Sequence, residues 1–156
     1  MLVIQNNAFE NSAMSTVVIP QSITKIKTSA FASCLNLESV KYPANGIESA
    51  TDIFYGCSKL KTITITGTGN MQDYEENSQP WLSLRTILTT VVFESGVTSV
   101  GNYGFEKITT LSSITWNDIQ TIGTNSFQGC TGLGSIDFSS TSVKTINSYA
   151  FSGVVE

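Results

Sequence analysis

The sequence contains no histidine, and only 13 % of its 156 residues are charged. Without histidine, neither a Ser-His-Asp triad nor a Cys-His pair can form from this chain. The three cysteines are far apart in the sequence, so the closely spaced ligands of a zinc site are missing as well. We therefore expect a protein that is not an enzyme and that uses no metal or other cofactor.

Basic residues and long apolar runs are also scarce. Eight Lys and Arg against twelve Asp and Glu give a net charge of −4, and no basic cluster is longer than the pair Lys25 and Lys27. A nucleic-acid-binding surface needs a positively charged stripe, which this composition does not provide. No apolar run approaches the ~18 residues of a membrane helix, and the start MLVIQNNAF lacks the basic and apolar parts of a signal peptide. The sequence thus predicts neither nucleic-acid binding nor membrane insertion of this segment.

What the sequence has in abundance is an internal repeat. The phrases AFASCLNL (30–37), IFYGCSKL (53–60) and SFQGCTGL (126–133) each read Phe, two residues, Cys, two residues, Leu. Extending this pattern along the chain gives seven aromatic positions, separated by about 22 to 27 residues. These positions are Phe9, Phe31, Phe54, Trp81, Phe105, Phe127 and Phe151.

Each repeat also contains two further apolar groups. A Leu-x-x-Ile-x-Ile pattern follows the aromatic residue, as in Leu60, Ile63 and Ile65, and an apolar pair three residues apart follows later, as in Ile119 and Ile122. No stretch shows the sustained 3.6-residue periodicity of an amphipathic helix. One repeat cannot fold alone, because ordering about 22 residues costs roughly 30 kcal/mol and burying six apolar side chains returns roughly 9–18. Neighbouring repeats must therefore stack as coils that pair their strands.

This repeat resembles the BspA-like leucine-rich repeats of bacterial and protist surface proteins. The resemblance is carried by IPQSITKIKTSAFASCLNLESV (19–40) and by its later copies VTSVGNYGF (97–105) and IQTIGTNSFQGC (119–130). It implies a leucine-rich-repeat solenoid of about seven stacked coils of 22–27 residues, with a parallel sheet on one face and little or no long helix. We expect this solenoid to be a single domain over residues 1–156.

The family also implies a location and a function. Its members are mostly cell-surface or secreted proteins implicated in adhesion to host matrix proteins, host cells or other microbes. We therefore expect a non-enzymatic protein-binding module of a cell-surface adhesin. A structural spacer without a ligand of its own stays open as the alternative, and a carbohydrate-acting enzyme is disfavoured because Asp137 has no acidic neighbour in register.

Both ends of the chain fall inside a coil. Solenoids need polar capping repeats at their ends, so we expect the chain to be part of a longer array that supplies any export signal or anchor. The alternative is a short complete protein whose open ends pair with another copy. In either case, uncapped strand edges predict self-association through the ends.

The cysteines occupy one equivalent position of the coil, three residues after the aromatic residue. That position holds Ser12, Cys34, Cys57, Leu84, Ile108 and Cys130 in successive coils. A position that accepts these residue types predicts a small buried site in which Cys acts as a compact apolar side chain. Parallel side chains on adjacent coils fit the torsion angle of a disulfide poorly, so we do not expect one.

One coil is enlarged, with a loop at 66–80. Its sequence NMQDYEENSQPW (70–81) contains the chain's one acidic cluster, Asp73, Glu75 and Glu76. We interpret it as a solvated surface loop, and a ligand contact that includes a cation is the alternative.

The outward residues of the predicted sheet form two columns across the coils. The column of Thr62 contains Ser39, Thr90, Ser113 and Ser135 and is all hydroxyl, whereas the column of Thr64 contains Lys41, Val92, Thr115 and Asp137. The mixed second column excludes a flat ice-binding array. We expect a protein partner to contact the outward residues Glu38, Lys41, Lys61, Thr62, Thr64, Thr90, Ser113, Thr115, Ser135 and Asp137.

Overall fold

The chain forms a solenoid of stacked coils in a computed structural model that describes residues 1–154. Its regular elements are twelve short β-strands and one 3-10 helix, Leu82–Thr86. All strand pairings between coils are parallel, as expected when each coil repeats the path of the previous one. The predicted solenoid with a parallel sheet and little helix is confirmed.

One side of the solenoid is a five-stranded parallel sheet, which we call the front sheet. Its strands come from the Leu-x-x-Ile-x-Ile pattern, whose apolar residues alternate with polar residues and therefore point to opposite faces. In β6 the inward Ile63 and Ile65 are fully buried, whereas the outward threonines are half-buried. The strands are β2 (Thr16–Val18), β4 (Ser39–Pro43), β6 (Thr62–Thr66), β8 (Thr90–Phe93) and β10 (Ser113–Thr115).

A second set of strands lies on another side of the coils and was not predicted from the sequence. We call it the back ladder, and it is divided into a three-stranded and a four-stranded sheet. The first sheet contains β1 (Leu2–Ile4), β3 (Ile23–Ile26) and β5 (Glu48–Ser49). The second contains β7 (Gly69–Asn70), β9 (Val97–Val100), β11 (Thr121–Ile122) and β12 (Thr145–Ile146). The division falls between β5 and β7, at the entry to the enlarged coil.

Tight turns form the remaining side. Ser29 and Ser33, which flank Phe31, both have φ of 56°, and equivalent positive angles recur around the other phenylalanines. Amides of these turns donate to carbonyls one coil later, as in Phe31 N to Ile53 O at 3.1 Å and Ser33 N to Tyr55 O at 2.7 Å. The backbone is therefore paired between coils on this side as well, which satisfies its polar groups without regular strands.

The aromatic positions line up in the core. Phe9, Phe31 and Phe54 stack at 5.2 and 5.4 Å between ring centroids, and Trp81 stacks on Phe105 at 5.2 Å. Trp81 therefore occupies the aromatic position of the enlarged coil, as predicted. Its indole nitrogen donates a hydrogen bond of 2.9 Å to the carbonyl of Gly104, so the buried polar atom is satisfied. Within residues 1–154, no helix has the length and apolar character required to span a membrane.

Candidate functional site

The outward face of the front sheet carries one unbroken column of hydroxyl groups. Ser39 pairs with Thr62, Thr62 with Thr90, and Thr90 with Ser113, as the sequence predicted. The structure adds Thr16 at the other end, because it pairs with Ser39. These hydroxyls therefore repeat at the ~4.8 Å spacing of neighbouring strands on a hydrogen-bonded sheet.

The second predicted column is also in register, and its chemistry is mixed. Lys41 pairs with Thr64, Thr64 with Val92, and Val92 with Thr115. The Lys41 ammonium lies 2.6 Å from a carboxylate oxygen of Glu94, two coils further on. Because β6 lies between their strands, this ion pair extends across the outward face of the sheet.

Two of the predicted contact residues lie just before the strands. Glu38 immediately precedes β4 and Lys61 immediately precedes β6, and both are exposed. The backbones of these residues are joined, since Lys61 N donates to Glu38 O at 3.0 Å. They form one edge of an open groove of about 450 Å³, which is lined by Glu38, Ser39, Ser58, Lys59, Lys61 and Thr62.

The predicted placement of Ser135 and Asp137 in the sheet is wrong. Their segment keeps the alternation of apolar and polar residues, and Ile136 and Phe138 pack against the core. Within the described residues, however, the segment forms no strand. Gly132 and Gly134 precede it, and glycine weakens strand formation. The Ser139 amide donates to Oδ1 of Asp137 at 2.8 Å, and this hydrogen bond lowers the pKa of the Asp137 carboxyl. Asp137 therefore belongs to a local turn and not to the second column.

The cysteines occupy fully buried positions, as predicted, and the structure has them as free thiols. The Cys57 thiol donates to the carbonyl of Phe31 at 3.1 Å, and Cys34 and Cys130 make equivalent bonds to Phe9 and Phe105. Burial raises the pKa of Cys57 to about 11 and that of Cys130 to about 12. Such thiols are poor nucleophiles at neutral pH, so their role is to connect adjacent coils.

The acidic cluster of the enlarged coil is engaged in local contacts. Asp73 accepts a hydrogen bond from the Asn102 amide at 2.8 Å, and Glu76 lies 2.7 Å from the Lys107 ammonium. The hydrogen bond from Lys107 lowers the pKa of the Glu76 carboxyl. Within residues 1–154, no group of three or more His, Cys, Asp or Glu side chains is placed to hold a metal ion.

A buried carboxylate that the sequence did not reveal holds this loop in place. The side chain of Glu106 is fully buried, and its Oε1 accepts hydrogen bonds from the Asn77 amide, Gln79 Nε2 and Arg85 NH2 at 2.8, 3.2 and 2.9 Å. All three partners lie in residues 77–85, so one side chain of the following coil fixes the enlarged coil. No sequence signal marked this residue, because the matching position holds Glu10, Tyr55 and Gln128 in other coils.

Comparison with known proteins agrees with this architecture. The BspA type leucine rich repeat region matches residues 2–78 and 83–155 as six copies, one fewer than the seven aromatic positions. A leucine-rich repeat protein from Bacteroides ovatus has a crystal structure that superposes with a TM-score of 0.64 at 30 % identity, over 98 % of this chain and 38 % of that one.

A second solved structure is more distant. It is described as a leucine rich cell surface protein from Faecalibacterium prausnitzii, with a TM-score of 0.43 and 21 % identity over 92 % of this chain and 43 % of that one. The chain thus spans less than half the length of each of these two proteins. No curated protein matches the sequence.

Proposed function

The chain belongs to the BspA-type leucine-rich repeat family, and from this premise we propose that it is a non-enzymatic protein-binding module of a cell-surface adhesin. Its partner is a protein of the host matrix, of a host cell or of another microbe, and it contacts the front sheet. The proposed location is the cell surface or the secreted fraction. The proposed contact residues on the sheet are Lys41, Thr62, Thr64, Thr90, Ser113 and Thr115, with Glu38 and Lys61 at its edge.

The observation that carries this proposal is the hydroxyl column Thr16, Ser39, Thr62, Thr90 and Ser113. The three central strands of the column, β4, β6 and β8, are fixed by backbone hydrogen bonds on both sides, so little conformational freedom is lost when a partner binds. Each hydroxyl can both donate and accept a hydrogen bond. A broad, pre-ordered polar surface of this kind suits recognition of a protein better than recognition of a small molecule, which needs a concave site.

The charge distribution on the front sheet also favours a protein partner. Lys41 and Glu94 form an ion pair on the outward face at 2.6 Å, with exposed fractions of 50 % and 38 %. Such a pair contributes little to stability because water screens it. It does place one charge of each sign beside the hydroxyl column, which gives a protein partner fixed points for its orientation.

The proposal is tested by measuring binding of the purified chain to extracellular-matrix proteins, host cells, microbial cells and glycans. The control is a solenoid with the same coils in shuffled order, which keeps the composition and changes the surface. Saturable binding of the native order to a protein supports the adhesin function. Binding by neither protein would favour a structural spacer, and equal binding by both would point to nonspecific adhesion of any such solenoid.

A further inference from the structure

The surface between the second and third coils departs from the rest of the solenoid. Inward positions must repeat because they fill the core, whereas outward positions are free to differ. We define the corner patch as Leu35, Asn36, Glu38, Tyr55, Lys59 and Lys61. Three of its residues, Glu38, Lys59 and Lys61, line the groove of about 450 Å³, and the other three lie in the turns of the same two coils.

Two large apolar side chains are exposed in the corner patch. Leu35 is 59 % and Tyr55 is 64 % exposed. Small or polar residues hold the position of Leu35 in five of the six other coils, and Val155 holds it in the last; the five are Ala13, Ser58, Arg85, Thr109 and Thr131. The other large exposed apolar residues among residues 1–154 lie towards the two ends of the solenoid, and they are Met1, Leu2, Phe9, Val18, Ile146 and Tyr149. In the middle of the chain, exposed Leu and Tyr side chains are a cost to solubility that a partner would offset.

The lysines of the corner patch differ from most other cations of the chain. Elsewhere Lys25, Lys41, Arg85 and Lys107 lie 2.6 to 2.9 Å from carboxylate oxygens.

Lys59 and Lys61 instead contact neutral oxygens. Lys59 Nζ lies 3.5 Å from Asn36 Oδ1, and Lys61 Nζ lies 3.2 Å from Ile87 O. Within the described residues, neither ammonium has a carboxylate partner at salt-bridge distance. Glu38 is the single acidic residue in the groove lining, so the groove keeps a positive charge on a chain whose net charge is −4.

We propose that the corner patch is a docking site for an acidic segment of a partner protein that also carries an apolar side chain. Carboxylates of this segment meet Lys59 and Lys61, and its apolar side chain packs on Leu35 and Tyr55. Tyrosine is enriched at the centres of protein interfaces because one side chain offers apolar area and a polar group. The inference rests on the proposed function, since it names the chemistry of a protein partner.

The test is an NMR titration of the ¹⁵N-labelled chain with a short synthetic peptide in which Asp and Glu flank a central Phe. We expect saturable shifts confined to amides of residues 33–39 and 55–62. The same peptide with Asn and Gln in place of the acids tests the charge, and a version with Gly in place of Phe tests the apolar contact. Both should bind more weakly, and added salt should weaken the acidic peptide most.

Two double variants separate the site from general electrostatics. Lys59→Glu/Lys61→Glu should weaken peptide binding about tenfold or more, because two attractions become repulsions. Lys27→Glu/Lys144→Glu gives the same net charge and should leave binding unchanged. Lys59→Gln removes one charge without reversing it and should give a smaller loss of peptide affinity. It keeps the test valid if the charge-reversed double variant does not fold.

Several results would overturn the inference: no saturable binding, equal binding by the neutral peptide, or shifts outside the two ranges. Tighter binding of an oligogalacturonate, an anionic saccharide, would assign the patch to glycans instead. The proposed function fails separately. If a protein binds in the survey and Lys59→Glu does not change its affinity, the docking site is refuted and the adhesin function stands. If the peptide binds the corner patch but no protein binds in the survey, the adhesin function is refuted and the docking site stands.

Discussion

The guanidinium of Arg85 lies 2.9 Å from Oε1 of Glu106, whose side chain is fully buried. Removing one member of a buried ion pair leaves the other charge without compensation. Arg85→Met should therefore lower the free energy of unfolding by about 3 kcal/mol in urea denaturation. Lys25→Met, which breaks the exposed pair with Glu48, is the matched control and should cost no more than about 0.5 kcal/mol. Equal small losses in both variants would show that Glu106 does not fix the enlarged coil.

The core of the fold could be predicted from the sequence because its signal is repeated. Each buried aromatic and each Leu-x-x-Ile-x-Ile strand recurs, so the register of Ser39, Thr62, Thr90 and Ser113 followed from counting residues, and the structure confirms it. The back ladder was missed because its strands are only two to four residues long. An apolar pair three residues apart is too short to show the two-residue alternation of a strand.

Features that occur once were harder to predict. Glu106 could not be recognised as buried, since the matching position holds Glu10, Tyr55 and Gln128 in other coils. Ser135 and Asp137 were misplaced because Leu133, Ile136 and Phe138 preserve the apolar pattern while the preceding glycines weaken the strand. Of the corner patch, Glu38 and Lys61 were among the predicted contact residues, whereas its other members were not, because surface residues carry no periodic signal.

The buried thiols predict loss of stability at high pH. The pKa of Cys57 is raised from 9.0 to about 11, and that of Cys130 from 9.0 to about 12, because burial disfavours the thiolate. The unfolded chain therefore releases these protons at lower pH than the folded chain does. The free energy of unfolding should be independent of these thiols below pH 9 and should fall between about pH 9 and 12.

Chemical denaturation at a series of pH values checks this prediction. Burial also raises the pKa of Tyr42 to about 12, so part of the decline does not come from thiols. The variant Cys57→Ala/Cys130→Ala lacks both thiols, so its free energy of unfolding should decline less steeply with pH. A decline of the same steepness in the variant would contradict the account of the cysteines.

The close approach of adjacent coils at Gly101 predicts a steric requirement for glycine. A Cβ atom added there would lie 1.9 Å from the carbonyl oxygen of Gln72, which is backbone and cannot turn aside. Gly101→Ala should therefore destabilise the fold by about 3 kcal/mol or more. Gly46→Ala is the control, because its φ is +81° and no atom lies within 4 Å of the added Cβ. It should cost only about 1 kcal/mol of backbone strain in thermal or urea unfolding, and an equal cost at both sites would contradict the steric explanation.

Open strand edges at the two ends predict association of the purified chain. Val18 on β2 is 65 % exposed and Ile146 on β12 is 48 % exposed, and these strands are outermost in their sheets. Sedimentation should show concentration-dependent, end-to-end association. Val18→Lys/Ile146→Lys should shift the chain to monomer, whereas Tyr55→Lys, a change to an exposed residue of the third coil, should not. A chain that is monomeric at every concentration would refute the prediction.

The central claim is that the hydroxyl column of the front sheet contacts a protein partner. Its most direct test is the affinity of Thr16→Val/Thr62→Val/Thr90→Val, which changes the three threonines of the column, for a protein identified in the binding survey. Valine keeps the branched shape and strand preference of threonine and removes the hydroxyl. Thr24→Val/Thr121→Val/Thr145→Val makes the same exchange on the back ladder. We predict that the front-sheet variant binds at least about tenfold more weakly with an unchanged melting transition, and that the back-ladder variant binds normally. Equal affinity of the two variants would contradict the claim.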